Sequence, residues 1–130
     1  MRLLASNARL PMLTALGFLM ALTTALAHHG WSWTQDGFFE LKGKVLAVYV
    51  GNPHATMDVD VEGETWRVEL APPGPTTRAG FTEDVAKPGD EVTAVGNRSR
   101  DETEKRMKAV RVIVGSKTYD VYPDRVPPSN

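Results

Sequence analysis

Apolar and polar residues alternate with a period of two along much of this chain. Met57, Val59 and Val61 are apolar, and Asp58, Asp60 and Glu62 between and after them are acidic. That pattern predicts a strand with one buried and one wet face. Gly63-Glu64 turns the chain, and Trp66, Val68 and Leu70 repeat the alternation in a partner strand. Upstream, Leu41 to Val50 predicts a strand interrupted by Gly43. Its second half is apolar on both faces, as in a strand that passes from one sheet surface to another. Gly51-Asn52-Pro53-His54 ends it, since Gly51 can take positive φ and Pro53 holds Asn52 extended.

Pro72-Pro73-Gly74-Pro75 then halts regular pairing. Thr76 to Val85 predicts one or two helical turns, with Phe81 and Val85 four apart and facing inward. Pro88-Gly89-Asp90 is a turn, and Val92, Ala94 and Gly96 share one face of the next strand. Beyond a charged loop, Asn97 to Lys105, Met107 to Val114 predicts a strand. Gly115-Ser116 returns it as a hairpin through Thr118 to Tyr122. Pro123 to Asn130 reads as a loose tail.

Three strands, a helical insert and two strands is the order of the OB-fold, a five-stranded Greek-key barrel. The expected class is therefore all-β: a small OB-like barrel over residues 38–122, with an extra C-terminal hairpin strand. Val45, Val59, Trp66, Val68, Val92 and Val112 are its expected core. A small two-sheet sandwich is the structural alternative.

The first 27 residues are of a different kind. Arg2 and Arg9 give a positive start, no charge interrupts Pro11 to Ala27, and Ala25-Leu26-Ala27 supplies small residues for cleavage. This predicts a signal peptide, with export to the periplasm or beyond. The apolar run, roughly 15 residues, is short of the ~20 a spanning helix needs, so no stable membrane insertion is expected after cleavage. Removing both arginines takes the formal charge of −1 to −3, which argues against a general polyanion binder. The chain has no cysteine, so neither disulfides nor a thiolate metal site enter the picture.

The mature part resembles a family of short exported bacterial proteins known only as a domain of unknown function. The matching residues are His28-His29 with Trp31, Gly43-Lys44-Val45, Asn52-Pro53-His54, Trp66, Glu69-Leu70, Arg78 to Thr82, and Lys87 to Thr93. The resemblance implies export and an OB-like barrel. It brings no activity with it.

Four constellations carry candidate chemistry. Asp58-x-Asp60-x-Glu62-Gly63, with Glu69 at the twelfth position, approaches a calcium loop. Calcium loops lie between two helices, and Gly51, Pro53, Pro72 and Pro73 forbid both, so strand alternation explains the acids. Arg98, Arg100, Lys105, Arg106, Lys108 and Arg111 are interleaved with Asp101, Glu102 and Glu104. They read as a solvated face, and no nucleic-acid partner is expected. Trp31, Trp33, Phe38 and Phe39 suit either a stacking platform or an anchor for the arm of residues 28–37, and a domain this small favours the anchor.

The histidines are the sharpest signal. Cleavage after Ala27 makes His28 the first residue, so its α-amine and imidazole Nδ1 can chelate one metal ion. His54 after strand one can add a third nitrogen, with His29 as a substitute ligand. Three nitrogens suit Cu(II) best and also accept Zn²⁺. Met57 can contact Cu(I), although its strand position makes the core its default. Gly-x-Ser-x-Gly, His-Glu-x-x-His and phosphate-loop patterns are all missing, so a non-enzymatic role is expected. The functional expectations are a copper-binding (or zinc-binding) exported barrel, a metal-free module for a peptide, glycan or partner protein and, where the same site keeps an open coordination position, an oxidative enzyme using copper bound by the N-terminal histidine.

Overall fold

The computed structural model describes residues 30–129. Six strands follow in chain order: β1 (Phe39–Tyr49), β2 (Thr56–Val61), β3 (Glu64–Glu69), β4 (Glu91–Arg98), β5 (Arg106–Val114) and β6 (Lys117–Asp120). Helix α1 (Pro73–Arg78) lies between β3 and β4, and Pro123–Arg125 forms a short 3-10 turn. The sheet order is β3-β2-β1-β4-β5-β6, and an added β3–β5 pairing closes the first five strands into a ring. The closing pair is parallel, joining Arg67 to Arg106, Val68 to Met107 and Glu69 to Lys108. The chain is thus the all-β OB-like barrel its pattern predicts, with β6 hydrogen-bonded to β5 outside the ring.

Strand β1 explains its own odd composition. Its first half pairs with β4 and its second half with β2, with a register shift between Val45 and Ala47. The strand changes partners, so residues after the bulge meet two environments. Inside the ring, Val45, Val59, Trp66, Val68, Val92 and Val112 are all buried, together with Met57, Leu70 and Met107. Met57 is fully enclosed in this core.

Two local expectations are corrected. The helix spans Pro73–Arg78 and not Thr76 to Val85. The prolines that end the β3 pairing also begin the helix, because proline's fixed φ and missing N–H suit the first helical turn. Gly80, at φ 88°, ends it in the left-handed region that favours glycine. Phe81 then drops fully buried into the core, edge-on to Tyr119 at 5.6 Å. Gly51 does not use positive φ; the turn carries a cis Asn52–Pro53 bond instead. A Cβ at Gly51 would overlap the Tyr49 ring, so its role is to give space.

Candidate functional site

The outward face of a barrel strand is ordinarily wet. The seam between β3 and β5 departs from that rule. Glu69 and Lys108 are register partners on that outward face, since Val68 and Met107 beside them point into the core. Yet Glu69 is only 6% exposed and Lys108 only 3%.

What buries them is the arm. Thr34 bridges to Ser99, the Gln35 N–H donates to the Arg98 carbonyl at 2.8 Å, and the Arg100 N–H donates to the Trp33 carbonyl at 2.9 Å. These bonds lay the arm along the end of β4. Trp33 then lies under the Arg106 guanidinium, 4.1 Å from its carbon. Trp31 meets the Lys108 ammonium at 4.6 Å and the Arg125 guanidinium at 4.4 Å. Tyr122 packs edge-on against Trp31 at 5.1 Å. Cations over indole faces are favourable, and more so when desolvated. The aromatic arm is therefore an anchor whose indoles already face partners. Arg125, at the start of the segment expected to be loose, helps to hold it.

At the centre of the seam sits one carboxylate. Glu69 Oε1 accepts from Arg106 Nε at 2.8 Å and also from Arg106 Nη2. Its other oxygen, Oε2, meets His54 Nε2 at 2.8 Å. Helped by the Tyr49 hydroxyl bond to the Asn52 carbonyl, the turn before β2 delivers His54 to this spot. The His54 side chain is 20% exposed and Glu69's is 7%. His54 thus holds a buried acid and does not merely close a backbone turn.

The electrostatics lean positive. Two cations, Arg106 and Lys108, flank the single carboxylate, with Arg125 beyond. Burial pulls the Lys108 ammonium below the usual lysine range, with the Arg125 and Arg106 charges adding to the effect and Glu69 opposing it. Burial also raises the Tyr122 hydroxyl. Elsewhere basic residues have local partners. Arg67 pairs with Asp58 at 2.6 Å, Lys105 with Glu64 at 3.2 Å and Arg111 with Asp120 at 2.6 Å. Of the basic stretch, Lys105 and Arg111 lie on the solvated face expected of it, whereas Arg106 and Lys108 do not: Arg106 is drawn onto Glu69 and Trp33, and Lys108 is buried against Trp31.

Of the three candidate ligands, only His54 can be placed; His28, His29 and residues 1–27, expected to be a signal peptide, lie outside the described residues. Among the described residues no group of three or more His, Asp or Glu is arranged to hold a metal. No helix among them is long and apolar enough to cross a membrane. Glu69, Arg106, Lys108, Tyr122 and Arg125 were not singled out from the sequence as site residues. The one signal available was a charged residue, Lys108, set between apolar Met107 and Ala109-Val110 in β5.

The chain belongs to the Family of unknown function (DUF6152), whose model matches residues 17–108. That span includes His28-His29, His54, Glu69, Arg106 and Lys108. Among curated proteins, none matches the chain in sequence. Solved structures that it resembles include a ZRD-deleted mutant of TiaS in complex with agmatine, at 18% identity and a TM-score of 0.48, covering 65% of this chain and 26% of that one. The S. pombe Stn1–Ten1 complex gives 18% identity and 0.47, covering 62% of this chain and 59% of that one. A complex of TiaS with tRNA, AMPCPP and agmatine gives 18% and 0.46, covering 59% and 18%. The chain spans less than two thirds of the length of each. These are likenesses of fold over part of each chain.

Proposed function

We propose that this is an exported metal-binding barrel, with copper as its ion and zinc as the alternative, and that His54 is the ligand the barrel contributes. One observation carries the reading: His54 Nε2 is held on Glu69 Oε2 at 2.8 Å. A metal-binding imidazole ordinarily donates its second N–H to a carboxylate, which fixes the ring and raises the basicity of the coordinating nitrogen. With Nε2 on Glu69, Nδ1 is the coordinating atom. Glu69 is itself fixed by Arg106, so the ring is oriented from two shells out.

His28 and His29 enter this reading from the sequence alone. His28 precedes Trp31 by three residues, roughly 10–11 Å of chain at full stretch. After cleavage it supplies an amine and a ring nitrogen, and His54 adds the third. The protein then acts in the periplasm or outside the cell as a binder that handles or sequesters the ion, and not as an enzyme.

The test is titration of the processed, tag-free protein with Cu(II) and Zn(II), followed by calorimetry and electron paramagnetic resonance. His54→Ala and one extra residue ahead of His28 should each weaken Cu(II) binding at least tenfold, the order of loss expected when a ligand or its orienting partner goes. Binding no tighter than that of a His-His-Gly-Trp peptide would mean that His54 contributes nothing. The role would then pass to a metal-free partner-binding module, for which exposed Leu46 and Tyr49 on β1 offer an apolar surface.

A further inference from the structure

Between α1 and the 3-10 turn at Pro123–Arg125 lies a cleft of about 480 Å³. Pro75 and Ala79 line it on the helix side, and Val121, Tyr122 and Pro123 line it on the other. Arg78 and Arg125 line it too, one from each side. We infer that this cleft binds a small organic anion, a monocarboxylate with an apolar body, through the two guanidiniums. It shares Tyr122 and Arg125 with the seam but none of the histidines, and it does not rest on the copper reading.

The charges set the class of ligand. Neither Arg78 nor Arg125 has an ion-pair partner among the described residues. Two carboxylates share the cleft. Asp120 is already taken, since Arg111 donates to it twice, at 2.6 and 3.0 Å. Asp124 makes no ion pair among the described residues. Two guanidiniums thus stand against one free carboxylate, and the surplus of one positive charge suits a monoanion. A guanidinium presents parallel N–H donors that match a carboxylate fork to fork. Arg125 is already ordered, with its guanidinium carbon 4.4 Å from the centre of the Trp31 ring. An ordered donor has less freedom to lose on binding.

The walls set its size. Small-molecule sites enclose ~300–1,000 Å³ and are lined mainly by apolar groups with a few polar anchors. An extended peptide binds largely through main-chain hydrogen bonds, and this cleft has few to give. Pro75 and Pro123 carry no N–H. The N–H groups of Ala79, Tyr122 and Arg125 already donate to the carbonyls of Pro75, Val110 and Tyr122, at 3.0, 3.1 and 3.0 Å. What remains is apolar contact from proline, alanine and the Tyr122 ring, together with the two forks. That combination fits an apolar acid.

Octanoate and octanamide share one apolar body and differ in charge, so the pair tests walls and anchors separately. Each is titrated by calorimetry into the processed protein without added metal, and located by amide chemical-shift changes in nuclear magnetic resonance. Octanoate should bind and shift the amides of Arg78, Ala79, Tyr122 and Arg125. Octanamide should bind at least about tenfold more weakly, the order of loss for a hydrogen bond to a charged group. Arg78→Gln should weaken octanoate about tenfold and leave octanamide within about twofold. Arg78→Lys keeps the charge without the fork and should fall between wild type and Arg78→Gln. Arg125→Gln should act like Arg78→Gln, although it also loosens Trp31; Arg78 holds no part of the arm, so its variants stay decisive. Equal binding of octanoate and octanamide, shifts away from these residues, or no binding of octanoate would overturn the inference. Tighter binding of an Ala-Val-Leu peptide than of octanoate would overturn it as well, and make the cleft a peptide groove.

Discussion

The barrel interior and the β3–β5 seam are both dry, and they became so in different ways. Interior residues such as Val59, Val68 and Val112 are fully buried because a period-two strand pattern sends them inward. Glu69 and Lys108 point outward and are nevertheless buried: Trp31 and Tyr122 lie against the Lys108 ammonium, and Glu69 is held between His54 and Arg106, the latter over Trp33. The interior is held by apolar area that the closed ring removes from water. The seam is held by charge pairs and cation–ring contacts whose balance depends on every member. Loss of one interior methylene leaves a void, whereas loss of one seam charge upsets the balance of all the others.

The largest effect should come from the interior. Trp66 is 6% exposed, tilted against Phe39 at 5.6 Å, with Arg98 and Lys105 over its ring. Trp66→Ala should cost about 3–5 kcal/mol, read from urea denaturation of the whole domain. A loss near zero would mean that the interior tolerates a void the size of an indole, and the contrast between the two regions would collapse.

In the seam, Glu69→Gln keeps the shape and removes the charge that Arg106 and His54 share. It should cost about 2–3 kcal/mol, at the lower end for a broken buried pair because Arg106 keeps some contact with water. Adding Lys108→Met to Glu69→Gln should recover part of that loss, since the seam then holds one cation fewer. The coupling in such a double-mutant cycle should be about 0.5–3 kcal/mol. Strict additivity would show that Glu69 and Lys108, although register partners, do not feel each other.

How much of this was legible in the sequence follows the same division. The strand order, the turn at Pro88-Gly89-Asp90 and the inward valines are local patterns, and they place the ring and its core. The insert was misplaced because a proline run has two meanings: it ends pairing, and it also starts a helix at Pro73. The seam was illegible because alternation assigns Glu69 to the wet face, and Lys108 to a basic stretch with acids beside it. Their burial depends on an arm more than 70 positions upstream of Lys108 in the chain. No periodicity encodes such docking. His54 was singled out, but its partner Glu69 appeared only as the last residue of a rejected calcium pattern.

The smallest effect, and the one most specific to the seam, lies in the pH dependence of Lys108. Its ammonium is pulled below the usual lysine range, chiefly by burial. In the unfolded chain it titrates near 10.4. Between its folded pKa and that value the unfolded state binds the proton and the folded state does not. Stability therefore rises with pH across this window, by the linkage relation. Tyr122 works in the opposite sense, because burial raises its hydroxyl above the ordinary tyrosine value and stability falls as pH climbs past about 10. Wild-type stability alone would blur the two. Lys108→Met removes the first and keeps the second, so the difference between variant and wild type isolates the lysine. That difference, variant minus wild type, should shrink as pH rises from neutrality to about 10.5. Urea denaturation midpoints at matched slopes measure it. A difference that stays flat over this range would show that Lys108 titrates in the fold as it does in the unfolded chain, and that the arm leaves it effectively in water.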